Sequence, residues 1–155
     1  MGNIKMDFKI FTIFTFFIVT ARVNANLSLE NMEKIGKTMH EIMEKCKKET
    51  GLSSDEVSVF RDPKGSLTRN DKCFLACFTR ESGIKLEGDK IVDKFGYSDI
   101  IEREDPDYYK MSLSIVKECN EEVPKMDDEC EYSGLLYKCH MEKAEQKSVE
   151  IPTFS

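Results

Sequence analysis

Cys73-Phe74-Leu75-Ala76-Cys77 is the stretch that decides the fold. It lies in a run without proline or glycine, from Thr68 to Glu81, and the run ends before Gly83. The spacing predicts a helix there, with Cys73 and Cys77 one turn apart on one face. Their Cβ atoms would stand about 5–6 Å apart, beyond the roughly 3.5–4.5 Å of a disulfide. They are therefore expected not to bond each other. Working outward, the chain has six cysteines, Cys46, Cys73, Cys77, Cys119, Cys130 and Cys139, separated by 26, 3, 41, 10 and 8 residues. Excluding the Cys73–Cys77 bond leaves about 12 of the roughly 15 possible pairings. Cys130 and Cys139 are nine apart, which is half a turn out of phase on a helix. That helix is expected to be tied to two different neighbours.

Six cysteines mean different things in different compartments, and the N-terminus indicates which applies. Lys5 and Lys9 precede an uncharged apolar run from Ile10 to Thr20. Eleven residues rise only about 16 Å as a helix, against roughly 30 Å for a bilayer core. A basic start, a short apolar run and small residues after it make the pattern of a secretory signal peptide. Val23-Asn24-Ala25 fits the small-x-small cleavage rule, so residues 1–25 are expected to be removed, with cleavage after Ala21 as the alternative. The segment carries three basic side chains and one acidic, so the formal charge falls from −6 to −8 over the remaining 130 residues. All six cysteines remain. In an oxidising compartment an even number reads as a disulfide framework. Asn26-Leu27-Ser28 matches a glycosylation sequon, read as incidental at the extreme mature N-terminus.

The mature segment, 26–155, reads as helices joined by short connectors. Leu29, Met32, Ile35, Met39, Ile42, Met43 and Cys46 fall on an arc of roughly 140°. Ser28 can cap this first helix and Gly51 can end it. Ser53-Ser54-Asp55-Glu56 offers a capping box for a short second helix with Val57 and Phe60. Pro63 and Gly65 mark a turn before the third. Asp89 is expected to cap a short fourth helix carrying Ile91, Val92 and Phe95, stopped by Gly96. Asp105-Pro106 opens a fifth, to about Asn120, with apolar residues over roughly 200° of its surface. Pro124 breaks the chain, and Asp127 or Asp128 starts a sixth through Cys139. No alternation of the β type competes, and no internal repeat is present.

Several classes are excluded by chemistry. An acidic chain without a basic block lacks the footprint of a nucleic-acid binder. Cys139-His140 raises zinc, but paired C-x₂-C spacing is absent and secreted thiols oxidise. No metal or cofactor is called for. No G-x-S-x-G elbow occurs, and neither His40 nor His140 sits in a motif that supplies a nucleophile. Asp127, Asp128, Glu129 and Glu131 lack the glycine and alternation of a calcium loop. The chain is therefore not expected to be an enzyme.

With Cys73-Phe74-Leu75-Ala76-Cys77, the five gaps, the helical pattern and the signal peptide in view, the mature chain resembles the insect odorant-binding proteins. The resemblance is to the pheromone-binding and general-odorant-binding type, with its full six-cysteine pattern. It implies an all-α fold, about six helices stapled by three disulfides around an internal hydrophobic cavity. It further implies first-to-third, second-to-fifth and fourth-to-sixth pairing, here Cys46–Cys77, Cys73–Cys130 and Cys119–Cys139. The candidate lining is Met39 and Met43 in the first helix, Phe60 in the second, and Phe74 and Phe78 in the third. Ile91 and Phe95 follow in the fourth, Tyr108, Ser112 and Ile115 in the fifth, Leu135 in the sixth and Phe154 in the tail. Such side chains hold apolar ligands by burial, at about 25 cal/mol per Å², and methionine adapts to several ligand shapes.

The function implied is a secreted carrier of small hydrophobic molecules, odorants or pheromones, in an extracellular fluid such as sensillar lymph, with delivery to a membrane odorant receptor. The competing reading is a secreted carrier or sequestering protein outside olfaction. The sequence does not choose between a monomer and a homodimer. The segment after the last cysteine, 140–155, ends in Ile151, Pro152 and Phe154 and is a candidate lid. Weaker binding near pH 5 than at pH 7 would accompany such a lid.

Overall fold

The structure is a computed structural model that describes residues 27–53, 56–57 and 65–148. The expected signal peptide, Asn26, Phe60, Pro63 and the tail residues Ile151, Pro152 and Phe154 lie outside the described residues. Five helices and one small sheet are described: α1 (Leu29–Thr50), α2 (Arg69–Ser82), β1 (Lys85–Glu87), β2 (Lys90–Val92), α3 (Tyr97–Glu104), α4 (Pro106–Glu122) and α5 (Glu129–Gln146).

The caps explain where these helices begin. The Ser28 hydroxyl accepts from the Asn31 N–H at the start of α1. Thr68 and Asp71 form a reciprocal capping box on α2: the Thr68 N–H donates to Asp71 Oδ2 at 2.9 Å, and Thr68 Oγ accepts from the Asp71 N–H at 3.2 Å. Each bond satisfies a donor that the first turn of a helix leaves unpaired. Asp105 caps α4 through the Tyr108 N–H, with Pro106 at the first helical position. Asp128 caps α5 through the Cys130 and Glu131 N–H groups.

The stretch between Gly83 and Gly96 corrects the expected helix. Residues 85–92 form an antiparallel hairpin with Lys85 opposite Val92, Leu86 opposite Ile91 and Glu87 opposite Lys90. Gly88 and Asp89 are its two-residue turn, and Gly88 has φ +56°, which suits glycine alone at low cost. Aspartate favours both turns and helix starts, so Asp89 reads either way in sequence. Gly96, expected to stop a helix, instead precedes one. Gly96 is the N-cap of α3 and has no side chain to offer, so Asp93 supplies the acceptors: its carboxylate accepts from the N–H groups of Phe95, Tyr97 and Ser98 and from the Ser98 hydroxyl.

Of the expected second helix, only the start is described. The Ser53 N–H donates to Glu56 Oε2 at 2.8 Å, and Val57 is fully buried. At the other end, α5 continues seven residues past Cys139, to Gln146, so the first part of the 140–155 segment is helical.

Packing divides the interior into two clusters. α2 lies against α1 and α5, around Ile42, Cys46, Val57, Phe74 and Cys77. α4 lies against α5 and α3, and Ile115, Cys119 and Ala144 form the second cluster. α5 serves both: Tyr137 packs on the first, while Leu136 and Cys139 pack on the second.

Candidate ligand-binding site

Three disulfides set the frame of the interior. Cys46 of α1 is bonded to Cys77 of α2, Cys73 of α2 to Cys130 of α5, and Cys119 of α4 to Cys139 of α5. These are the pairs that the resemblance implies. Cys73 and Cys77 leave α2 toward different helices, and α5 is tied on opposite sides. No cysteine is free, so none is available as a thiolate ligand for a metal.

The lining candidates fall into groups. Phe74 is 1% exposed and Phe78 and Met43 pack on its cluster, with the two rings 6.5 Å apart. Ile115 belongs to the second cluster. Met39 of α1, Ile91 of β2, and Tyr108 and Ser112 of α4 are half-buried. Phe95 and Leu135 turn outward, at 41% and 40% exposed. A helix over residues 89–96 would have aligned Phe95 with Ile91; the hairpin removes that phase. Leu135 stands about 160° round α5 from Tyr137, away from the first cluster. Phe60 and Phe154 lie outside the described residues.

Three residues outside the candidate set shape the interior. Tyr97, 5% exposed, takes the inward place that Phe95 was expected to hold, and the two rings stack at 5.5 Å. Its hydroxyl shares a 2.5 Å hydrogen bond with Thr38 and so fastens α3 to α1. Tyr109, also 5% exposed, accepts the Ile91 N–H at 3.1 Å and holds the hairpin against α4. His140 sits on α5 with a buried Nε2 that has no hydrogen-bond partner. An amphipathic tally rewards phenylalanine and methionine and gives no weight to such polar ends. In Tyr97 and Tyr109 the signal was a ring with a hydroxyl that can reach a partner.

Most charge is kept to the outside, and the buried carboxylates Asp71 and Asp105 are taken up by the caps of α2 and α4. Lys143 on α5 and Lys147, the residue at its C-terminal cap, pair with Glu118 on α4, and Lys143 also pairs with Glu122. The hydrogen bonds from Lys147 and Ser114 lower the Glu118 carboxyl to a pKa of about 2. On the α2–α5 side, Glu131 receives Lys72 at 2.7 Å and Arg69 at 3.1 Å, and both bonds lower its pKa. Burial would raise the pKa of Asp93, but hydrogen bonds from Ser98, Phe95 and Tyr97 outweigh it and lower the value. Burial alone lowers that of His140. What the two core clusters offer is apolar surface, with neutral polar ends at Tyr97, Tyr109 and His140 nearby and the helix-joining cysteines to hold it.

The PBP/GOBP family model matches residues 28–143, which spans all six cysteines. The chain belongs to the PBP/GOBP family. Among solved structures, it is similar to the odorant-binding protein OBP28a from Drosophila melanogaster, with a TM-score of 0.57 and 22% identity. That similarity covers 77% of this chain and 99% of the Drosophila chain, and at this identity it speaks for the fold. No curated protein is matched by sequence. As a PBP/GOBP member the chain is a binding protein by kind, and its matched region runs into α5 past Cys139. No described helix is long and apolar enough to cross a membrane.

Proposed function

We propose that the protein is a secreted carrier that takes up a small hydrophobic molecule, an odorant or pheromone, and transports it through an extracellular fluid. The observation that carries this reading is membership of the PBP/GOBP family over residues 28–143, with three disulfides tying α1, α2, α4 and α5 together. Met43, Phe74, Phe78 and Ile115 supply apolar surface on both sides of α5, and no charged group is needed for uptake. The apolar run Ile10–Thr20, read as a signal peptide, supports export. The protein is not a catalyst in this reading, and delivery to a membrane receptor would follow release.

Burial sets the expected affinity. Each buried methylene gives about 0.8 kcal/mol, so a ten-carbon chain gives about 8 kcal/mol before the cost of association. Micromolar binding corresponds to about −8 kcal/mol. Affinities in the micromolar range or weaker are expected for a simple chain. The test is displacement of an apolar fluorescent amine from the refolded, fully disulfide-bonded protein. Long-chain alcohols, aldehydes and esters should displace it saturably. Failure of every such compound to displace it would refute a carrier role.

A further inference from the structure

His140 lies on the face of α5 that packs on the second core cluster, beside the first. At 100° per residue it falls on the arc of α5 between Leu136 and Tyr137, one turn on from each, and one turn before Ala144. Tyr137 packs on the first cluster, and Leu136 and Ala144 on the second. Leu136 and Ala144 flank it in phase, so the imidazole is directed at the second cluster, on the side nearer the first. Among the described residues, its Nε2 is the buried side-chain nitrogen or oxygen without a hydrogen-bond partner. Buried polar groups in folded proteins are nearly always paired, so an orphan calls for a physical explanation. Burial also favours the neutral imidazole.

We propose that His140 Nε2 is the polar anchor of the interior site, hydrogen-bonding the single neutral oxygen of an otherwise apolar ligand. This deepens the carrier reading and rests on it. A neutral imidazole nitrogen is a donor or an acceptor according to its tautomer. A hydroxyl can answer either, whereas an aldehyde or ester oxygen only accepts. Long-chain primary alcohols are therefore the class that fits in every tautomer. The apolar walls bind the chain, and His140 sets which end goes inward. Cys139 fixes the orientation of the ring's turn of helix through its bond to Cys119.

The experiment compares decan-1-ol with undecane, which have equal numbers of heavy atoms, as displacers of an apolar fluorescent probe. It uses wild type, His140→Leu and His140→Gln. His140→Leu should weaken decan-1-ol about five- to tenfold, the worth of one buried hydrogen bond, and leave undecane unchanged or tighter. His140→Gln, whose amide reaches near the Nε2 position, should recover much of the alcohol affinity. Parallel weakening of both compounds by His140→Leu, or no change in either, would overturn the anchor and leave the carrier reading standing. If neither compound displaces the probe from wild type, the anchor fails, while the carrier reading is decided by the wider panel of alcohols, aldehydes and esters. Should the variants not fold, the wild-type protein still decides. The His140 ring nitrogen resonances should move on saturation with decan-1-ol and stay in place with undecane, and equal movement refutes the proposal.

Discussion

Removing the Cys46–Cys77 bridge should destabilise the protein more than removing Cys73–Cys130, although its loop is shorter. The bridges close 31 and 57 residues. The other two bridges offer no shortcut across either loop. The chain-entropy relation then gives about 3.7 and about 4.2 kcal/mol, so the loop term favours Cys73–Cys130 by about 0.5 kcal/mol. Packing acts in the other direction. Cys46 and Cys77 are both 0% exposed and belong to the first core cluster. Cys73 and Cys130 are half-buried. Taking a sulfur as roughly one methylene, two buried ones lose about 1.6 kcal/mol of transfer energy, and the half-buried pair about half of that. A void of roughly 25 Å³ per sulfur in the packed cluster adds about 0.6 kcal/mol each, while the half-buried site opens to water instead. The packing difference is about 2 kcal/mol, four times the loop difference, and it wins. Urea unfolding of Cys46→Ala/Cys77→Ala and Cys73→Ala/Cys130→Ala, followed by far-ultraviolet circular dichroism, measures both. The first variant should be less stable by about 1–2 kcal/mol. A second variant that is less stable than the first would show that loop closure, not burial, governs these bonds.

Three further outcomes follow from particular contacts. Thr68→Ala removes the cap of α2 and one partner of the fully buried Asp71 carboxylate, and should cost about 1–2 kcal/mol in thermal unfolding. Gly83→Ala should cost more than about 1 kcal/mol, because the residue has φ +66° and an added Cβ would lie 2.6 Å from Lys94 Cγ; a Lys94→Ala background should recover only the contact part. Glu118 should titrate near 2 in a carboxyl-resolved NMR titration, against an ordinary value of 4.5. Its folded pKa is the lower one, so its stabilising contribution is present above 4.5 and is lost as the pH falls through about 2. Lys147→Ala should move the midpoint upward, and an unmoved midpoint would deny the α4–α5 contact that sets it.

What could be read from the sequence was what a single helix decides for itself. Ser28 and Gly51 bound α1, Thr68 and Gly83 bound α2, and Asp105-Pro106 opens α4, all as capping chemistry requires. The hairpin was hidden because strands of three residues show too little alternation to register, and Asp89 is at home in a turn or at a helix start. The end of α5 was hidden for another reason. The helix packs on both clusters and carries cysteines half a turn apart, so its apolar residues make no single stripe. Only a helix with one buried face announces its own length. The site followed the same division. Met43, Phe74 and Phe78 come together because each sits on a face set by its own helix, whereas Phe95 gave way to Tyr97 once the preceding segment became a strand.

The two ties on α5 bear directly on the carrier reading. A helix bonded on one side can roll toward its neighbour and close whatever space lies beside it. Cys130 holds α5 to α2, and Cys139 holds it to α4 from the far side. Rolling α5 toward one partner pulls it from the other. The pairs of Lys143 and Lys147 with Glu118 stand on the same side as Cys139 and resist the same motion. In the carrier reading, His140 and Tyr137 would therefore keep their places on α5 whether or not a molecule is bound. An interior that must accept a ligand cannot depend on that ligand to hold its walls apart. Covalent ties on opposite sides of one shared helix meet that need without filling the space with side chains, which is why the pairing of the cysteines, more than any lining residue, bears on what the protein can carry.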